Sequence, residues 1–350
     1  SYCMKKFFPI LLMFLWAQAS FGQEAGNGRL DEISKMAMRD TFGWTTGGGI
    51  GLDLGGMGLL NPKVGAGANR LGLGGLGTLY ANRKEQKWYW NNQFSIQLSA
   101  QRLGRTTASQ PKTGFQKNLD VLRFSTRYGH KLGSDKWFVA IDGFAQTLAL
   151  KTYASNYLKP IDAEDRVVAK FFSPLLATVS PGIDYKPNEH LSFFYSPCGT
   201  QIIFVADDAI AATGVHGNDV TRDDQGRITE YKNTFFGLGS ELKAGYNNKY
   251  FDNRLSVTSN LRLFSNYLKE PQNVDVLFSN NFSIAIFKGL SLDLLAEYFY
   301  DNDVKVKKDV DGDNIYDVII NADGTTSGPD RLGRGGQTTG AFLLKYSVIF

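Results

Sequence analysis

Between Gln93 and Leu103 the chain alternates, unbroken as far as Gln101. Phe94, Ile96, Leu98 and Ala100 fall on one parity; Gln93, Ser95, Gln97, Ser99 and Gln101 fall on the other. A period of two sends these sets to opposite faces of a β-strand. The pattern recurs. In 255–263, Leu255, Val257, Leu261 and Leu263 oppose Ser256, Thr258, Asn260 and Arg262. In 290–300, Leu290, Leu292, Leu294, Ala296, Tyr298 and Tyr300 oppose Ser291, Asp293 and Glu297. Strands of soluble sandwiches average about five or six residues. Runs of roughly ten, apolar on one side and polar on the other, suit a strand between hydrocarbon and an aqueous lumen. Such periodicity, with 43% hydrophobic and 13% aromatic residues, excludes a disordered chain. Past residue 22 no apolar run is long enough for a membrane-spanning helix. A net charge of +4 is too mild to argue for nucleic acid as a partner.

Twelve strands are predicted, at 44–54, 69–82, 88–103, 118–131, 136–151, 175–187, 190–206, 233–249, 253–269, 273–287, 290–302 and 337–350. The seventh contains Ser196-Pro197-Cys198-Gly199, and a proline that cannot donate to the ladder predicts a bulge there. The connections alternate. Those at 83–87, 132–135, 187–189, 249–253 and 288–289 are short, while those at 55–68, 104–117, 152–174, 207–232 and 301–336 are long, with a tight exception at 270–273. Short turns at one end and long loops at the other characterise a transmembrane antiparallel up-and-down β-barrel of the outer-membrane type, all-β, with short periplasmic turns and long extracellular loops. Trp88, Trp90, Trp137, Phe138, Tyr246, Tyr250 and Phe251 cluster at short-turn strand ends, as an interfacial aromatic girdle would.

The flanks fit the same destination. Met4-Lys5-Lys6, the apolar stretch from Phe7 to Ala17 and Ser20-Phe21-Gly22 before Gln23 read as a secretory signal peptide over 1–22, with residues 1–3 upstream of the true start. Residues 23–42 form a periplasmic segment in which Leu30, Ile33, Met36 and Ala37 suggest a short amphipathic helix, either free or tucked into the lumen. The barrel occupies 43–350. At its end Phe342, Leu344, Tyr346, Val348 and Phe350 share one parity, a closing-strand signal of the kind read by barrel-assembly machinery. The lone mature cysteine, Cys198, is expected to be buried and inert.

Several stretches, namely Gly43-Trp44 with Gly47-Gly48-Gly49 and Leu52, Gln116 through Asp120, Gly182 through Asn188, and Leu263 through Tyr267 with Pro271 through Asp275, resemble an outer-membrane β-barrel family of the Bacteroidota known as a domain of unknown function. The resemblance spans roughly 43–350. It implies the barrel and the outer membrane, and it implies no activity.

Strand parity points Arg123, Arg127, Lys186, Lys243, Arg262 and Lys345 inward, with Asp142, Asp184, Glu241, Asp293 and Glu297. A charge facing lipid at midplane would cost about 2–4 kcal/mol, so the lumen is where they belong. There they would line a path for a small polar solute or pair across the interior and close it. Asp309, Asp311, Asp313 and Asp317 match the start of a calcium-binding loop, although Asn314 replaces the usual glycine and Ile320 the bidentate glutamate. No other cofactor is expected. His130, His190 and His216 follow no catalytic spacing; His216, near Asp207, Asp208 and Asp219, would be the candidate for a rim hydrolase, and the chain is read as a non-enzyme. The glycine runs 47–51 and 72–77 lack the βαβ context of a nucleotide-binding turn. The expected partners are outer-membrane lipid, the assembly machinery and a small polar solute passing or binding in the lumen. The alternative is a non-conducting scaffold whose outer loops bind a protein or an envelope polymer.

Overall fold

The computed structural model describes residues 42–57, 70–103, 114–155, 157–163, 165–224, 227–268, 270–300, 306–308, 310, 319–320, 326–327, 331–333 and 335–349. Twelve antiparallel strands form a closed barrel. They are β1 (Gly43–Met57), β2 (Arg70–Lys84), β3 (Trp88–Leu103), β4 (Gln116–Lys131), β5 (Trp137–Thr147), β6 (Leu175–Tyr185), β7 (Leu191–Phe204), β8 (Thr234–Tyr250), β9 (Leu255–Asn266), β10 (Asp275–Phe287), β11 (Leu290–Tyr300) and β12 (Gly336–Ile349). Each strand pairs with its sequence neighbours, and β1 closes on β12 with Gly49 opposite Ile349 and Leu54 opposite Leu344. The seam between β1 and β12, over Gly49–Leu54, closes the sheet on itself, the condition for a β-structure to sit in hydrocarbon.

The alternation read from sequence is the inside–outside alternation of the wall. In β3 Phe94 is exposed, while Ser95 and Gln97 are buried. Leu52, Leu54, Leu73, Phe124, Ile141 and Tyr195 stand on the outer face. Large apolar side chains left exposed around a closed cylinder mark a wall solvated by lipid, and the chain is a transmembrane barrel. At the short-turn ends Trp137 stacks on Tyr185 at 4.3 Å and Trp44 lies 6.0 Å from Trp90. Leu344 and Tyr346 of the closing-strand pattern are exposed on the outer wall. The backbones of Phe342 and Val348 run in β12; their side chains and Phe350 lie outside the described residues, as do the 1–22 and 23–42 segments and Asp309, Asp311, Asp313 and Asp317 of the acidic loop.

The seventh strand runs through its proline as one element with the expected bulge. Its Ser196–Gly199 stretch shifts register against both neighbours, between Val179 and Ile183 of β6 and between Gly239 and Glu241 of β8. Pro181 and Pro197 bring two missing donors to this region, and the Ser196 hydroxyl donates to the Pro181 carbonyl at 2.7 Å. The strands approach so closely that a Cβ on Gly182 would lie 2.2 Å from the Tyr195 carbonyl oxygen, and one on Gly239 would lie 2.0 Å from that of Ser265. Cys198 is exposed in this bulge, contrary to the buried position expected of it. The local register shift puts its side chain on the outer wall.

The fifth strand stops at Thr147 rather than running on to 151. Asp120 of β4 accepts the Ala149 and Leu150 amides at 2.8 and 2.9 Å, removing them from the ladder. Lys117 clamps Asp120 at 2.7 Å and donates to the Leu150 carbonyl at 3.2 Å, so a buried ion pair fixes the departure of the loop. Two long loops, 148–174 and 205–233, dock on each other. Val205, Ile210 and Ala211 form a buried cluster against Val167 and Ile203. A short helix α1 (Asp208–Ala211) is capped by Asp207, which also takes Lys170 across the loops at 2.5 Å.

Candidate functional site: the charged lumen

Seven of the eleven inward charges predicted from parity form one connected belt along the inner wall of β4 to β9. Arg127 donates from Nε to Asp142 at 2.6 Å, and its Nη1 lies 3.7 Å from Asp184. Lys243 reaches the other Asp142 oxygen at 2.5 Å and lies 3.4 Å from Glu241. Arg262 donates to Glu241 at 2.7 Å. Asp184 also takes Lys186 at 3.3 Å and accepts the Tyr89 hydroxyl. Ser180 donates to Glu241 at 2.8 Å.

The register explains the meeting. Arg127 lies opposite Asp142, and Asp142 opposite Ser180. Asp184, Phe194, Lys243 and Arg262 form the adjacent row across β6, β7, β8 and β9. Cross-strand neighbours of opposite sign stabilise a sheet face, and inside a membrane each would be costly alone. Lys186 corrects the strand-parity expectation. It sits in the turn beyond β6, and its ammonium reaches back over the Tyr89 ring at 3.6 Å.

Two residues central to the belt were missed by sequence reasoning. Phe194 is fully buried, with the Arg127 guanidinium 4.8 Å and the Lys243 ammonium 5.9 Å from its ring centre. Tyr89 packs edge-on against Phe138 at 5.2 Å, in space left by Gly129, where a Cβ would meet its ring at 2.4 Å. The signal for Phe194 was the Phe193-Phe194 pair, of which one must face inward. For Tyr89 it was the parity opposite to Trp88 and Trp90.

Three of the remaining predicted charges, Arg123, Asp293 and Lys345, make their contacts outside the belt. Lys345 pairs with Asp293, which also accepts from Ser283 at 2.6 Å and Ser291 at 2.9 Å. Arg123 donates to Gln146 at 2.6 Å. The Glu297 side chain is outside the described residues. Among the described residues no cluster of metal-ligating groups occurs. The histidine–aspartate grouping does not form as a catalytic pair. His216 bonds the Val168 carbonyl at 2.8 Å, and Asp207 is engaged by Lys170 and the helix amides. Burial lowers the His216 pKa against the opposing pull of that carbonyl, and the Lys170 hydrogen bond holds Asp207 below the usual carboxylate range.

A family model described as "Protein of unknown function (DUF3078)" matches residues 61–153, from the β1–β2 connection through the start of the first docked loop. Of the four stretches carrying the resemblance, Gln116 through Asp120, with the Lys117–Asp120 clamp, falls inside the match. No curated protein matches the chain. Among solved structures, an outer membrane channel from Pseudomonas putida F1 is similar at 10% identity, covering 90% of this chain and 98% of that one, with a TM-score of 0.39. A Pseudomonas aeruginosa FadL homologue is similar at 10% identity, covering 93% of each chain, with a TM-score of 0.33. The translocator domain of the autotransporter NalP from Neisseria meningitidis gives 10% identity, 91% and 93% coverage and a TM-score of 0.32.

Proposed function

We propose that this protein is an outer-membrane channel that passes, or transiently holds, a small polar solute in its lumen. The observation that carries the reading is the chemistry of the inner wall. The inward faces of β4 to β9 bring together guanidinium, ammonium, carboxylate and hydroxyl groups in fixed pairs. Selectivity in such a pore comes from rings and rows of charged side chains that replace part of a solute's hydration shell. The outward Leu344 and Tyr346 support lipid and the barrel-assembly machinery as the contacts of the outer wall.

Purified barrel inserted into a planar bilayer should give discrete conductance steps. A bilayer that stays silent while inserted barrel is detected in it would overturn the reading. The docked 148–174 and 205–233 loops favour the second one, a non-conducting scaffold whose structured outer surface binds a protein or an envelope polymer. That reading expects silence, together with loss of partner binding when residues 205–233 are shortened.

A further inference from the structure

The belt has a consistent order of depth. Arg262 retains 34% of its side-chain exposure, Lys186 28%, and Arg127 and Lys243 23% each. Their partners Asp142, Asp184 and Glu241 retain 10%, 0% and 1%. The separate pair follows the same order, Lys345 at 10% over Asp293 at 0%. Hydroxyls sit on three of the four carboxylates, Tyr89 on Asp184, Ser180 on Glu241, and Ser283 and Ser291 on Asp293. Each cation keeps more of its side chain exposed than its counter-charge does. The ring faces of Tyr89 and Phe194 support the cations from behind.

A wall that is nearly neutral by count therefore does not present itself as neutral. A solute in the lumen meets ammonium and guanidinium groups first and feels the carboxylates at longer range. Partly exposed charges act strongly over a few ångströms, and low-dielectric walls focus their field. A guanidinium carries five N–H donors, more than the one or two carboxylates beside each of these arginines engage through their closest contacts. Arg127 and Arg262 each spend Nε on their closest carboxylate contact.

We propose that the lumen prefers small anions, with Lys186 at the short-turn mouth and Arg127, Lys243 and Arg262 along the wall as the groups that meet them. The proposal rests on the channel reading and names its substrate class. Carboxylate, phosphate and sulfate groups suit the planar donors of the two arginines.

The test is the reversal potential of the intact barrel in a planar bilayer under a potassium chloride gradient. The expected sign is that of chloride, with a chloride-to-potassium permeability ratio above about 2. Lys186→Gln lies in a turn outside the strands and leaves the ladder intact. It should lower that ratio, and Lys186→Arg should keep it. Inorganic phosphate added to the chloride solution should reduce the current, and less so in the Lys186→Gln barrel. A silent bilayer removes the channel reading. Conductance steps with a ratio at or below 1 overturn the anion proposal alone, as does a ratio that Lys186→Gln leaves unchanged.

Discussion

At the scale of single residues the belt depends on groups that no charge count would weigh. Phe194 carries no charge, yet it is fully buried within the second row, between Asp184 and Lys243, and lies under Arg127 and Lys243. Removing it takes away packing and opens a cavity beside ion pairs that need a dry, rigid surround. Phe194→Ala is expected to cost about 3–5 kcal/mol, the range for a buried aromatic truncated to alanine. Phe193→Ala, one position away on the outer wall, should cost much less. Urea unfolding of the two variants in the same lipid, followed by tryptophan fluorescence, separates them; equal losses would deny Phe194 its place. Parity could nominate Arg127, Asp142, Asp184, Glu241, Lys243 and Arg262 for one wall, because a two-residue period assigns each strand side chain to a face, whereas Lys186 lies in a turn that parity does not reach. The pairing was not legible. Whether Asp142 meets Arg127 or another cation depends on register, which is set by turns and bulges far along the chain.

At the scale of elements, the bulge in β7 and the docked loops show the same division. Ser196-Pro197-Cys198-Gly199 announced an irregularity, since proline lacks the donor a ladder needs. What it could not announce is the matching relaxation of β6 and β8, where Gly182 and Gly239 let neighbouring backbones come within contact distance. Gly239→Val should therefore prevent native pairing of β8 with β9. The expected result is loss of the heat-modifiable folded band on gel electrophoresis, while Gly133→Ala, in a short turn with open space around it but at φ 69°, should only weaken the barrel. The loops were visible only as length. Their docking comes from contacts between segments about forty residues apart, such as Lys170 with Asp207 and His216 with the Val168 carbonyl. Acid should loosen this docking. His216 has a lowered pKa when docked, so its contribution is complete above the ordinary value of 6.5 and fades as pH falls below it. Asp207 is also lowered, so its contribution is present above 3.8 and is lost as pH falls further. Amide exchange in 205–233, corrected for the intrinsic pH effect, should speed up on going from pH about 7.5 to about 5.5, and His216→Gln should remove that first step.

At the scale of the whole molecule, closure and the alternation of loop lengths predict an orientation. An even number of strands places both ends of the barrel on the short-turn side, with β1 starting opposite Lys84 next to the turn at 85–87. Long loops cannot cross the bilayer easily, and the folded pair at 148–174 and 205–233 would be a large polar cargo. Assembly from the periplasm should push these loops outward and leave the tight turns behind. Single cysteines test the arrangement, after Cys198→Ser removes the exposed native thiol. Asp224→Cys, exposed in the second long loop, should react with a membrane-impermeant maleimide on intact cells. Ser134→Cys, exposed in the 132–136 turn, should react only once the outer membrane is permeabilised. The reverse pattern would turn the barrel over. Equal labelling of both sites on intact cells would remove the membrane as the barrier between them, and with it the reason for an apolar outer wall. In the expected orientation Lys186, in the turn after β6, would lie at the periplasmic mouth, and the proposed anion would meet the belt first from that side.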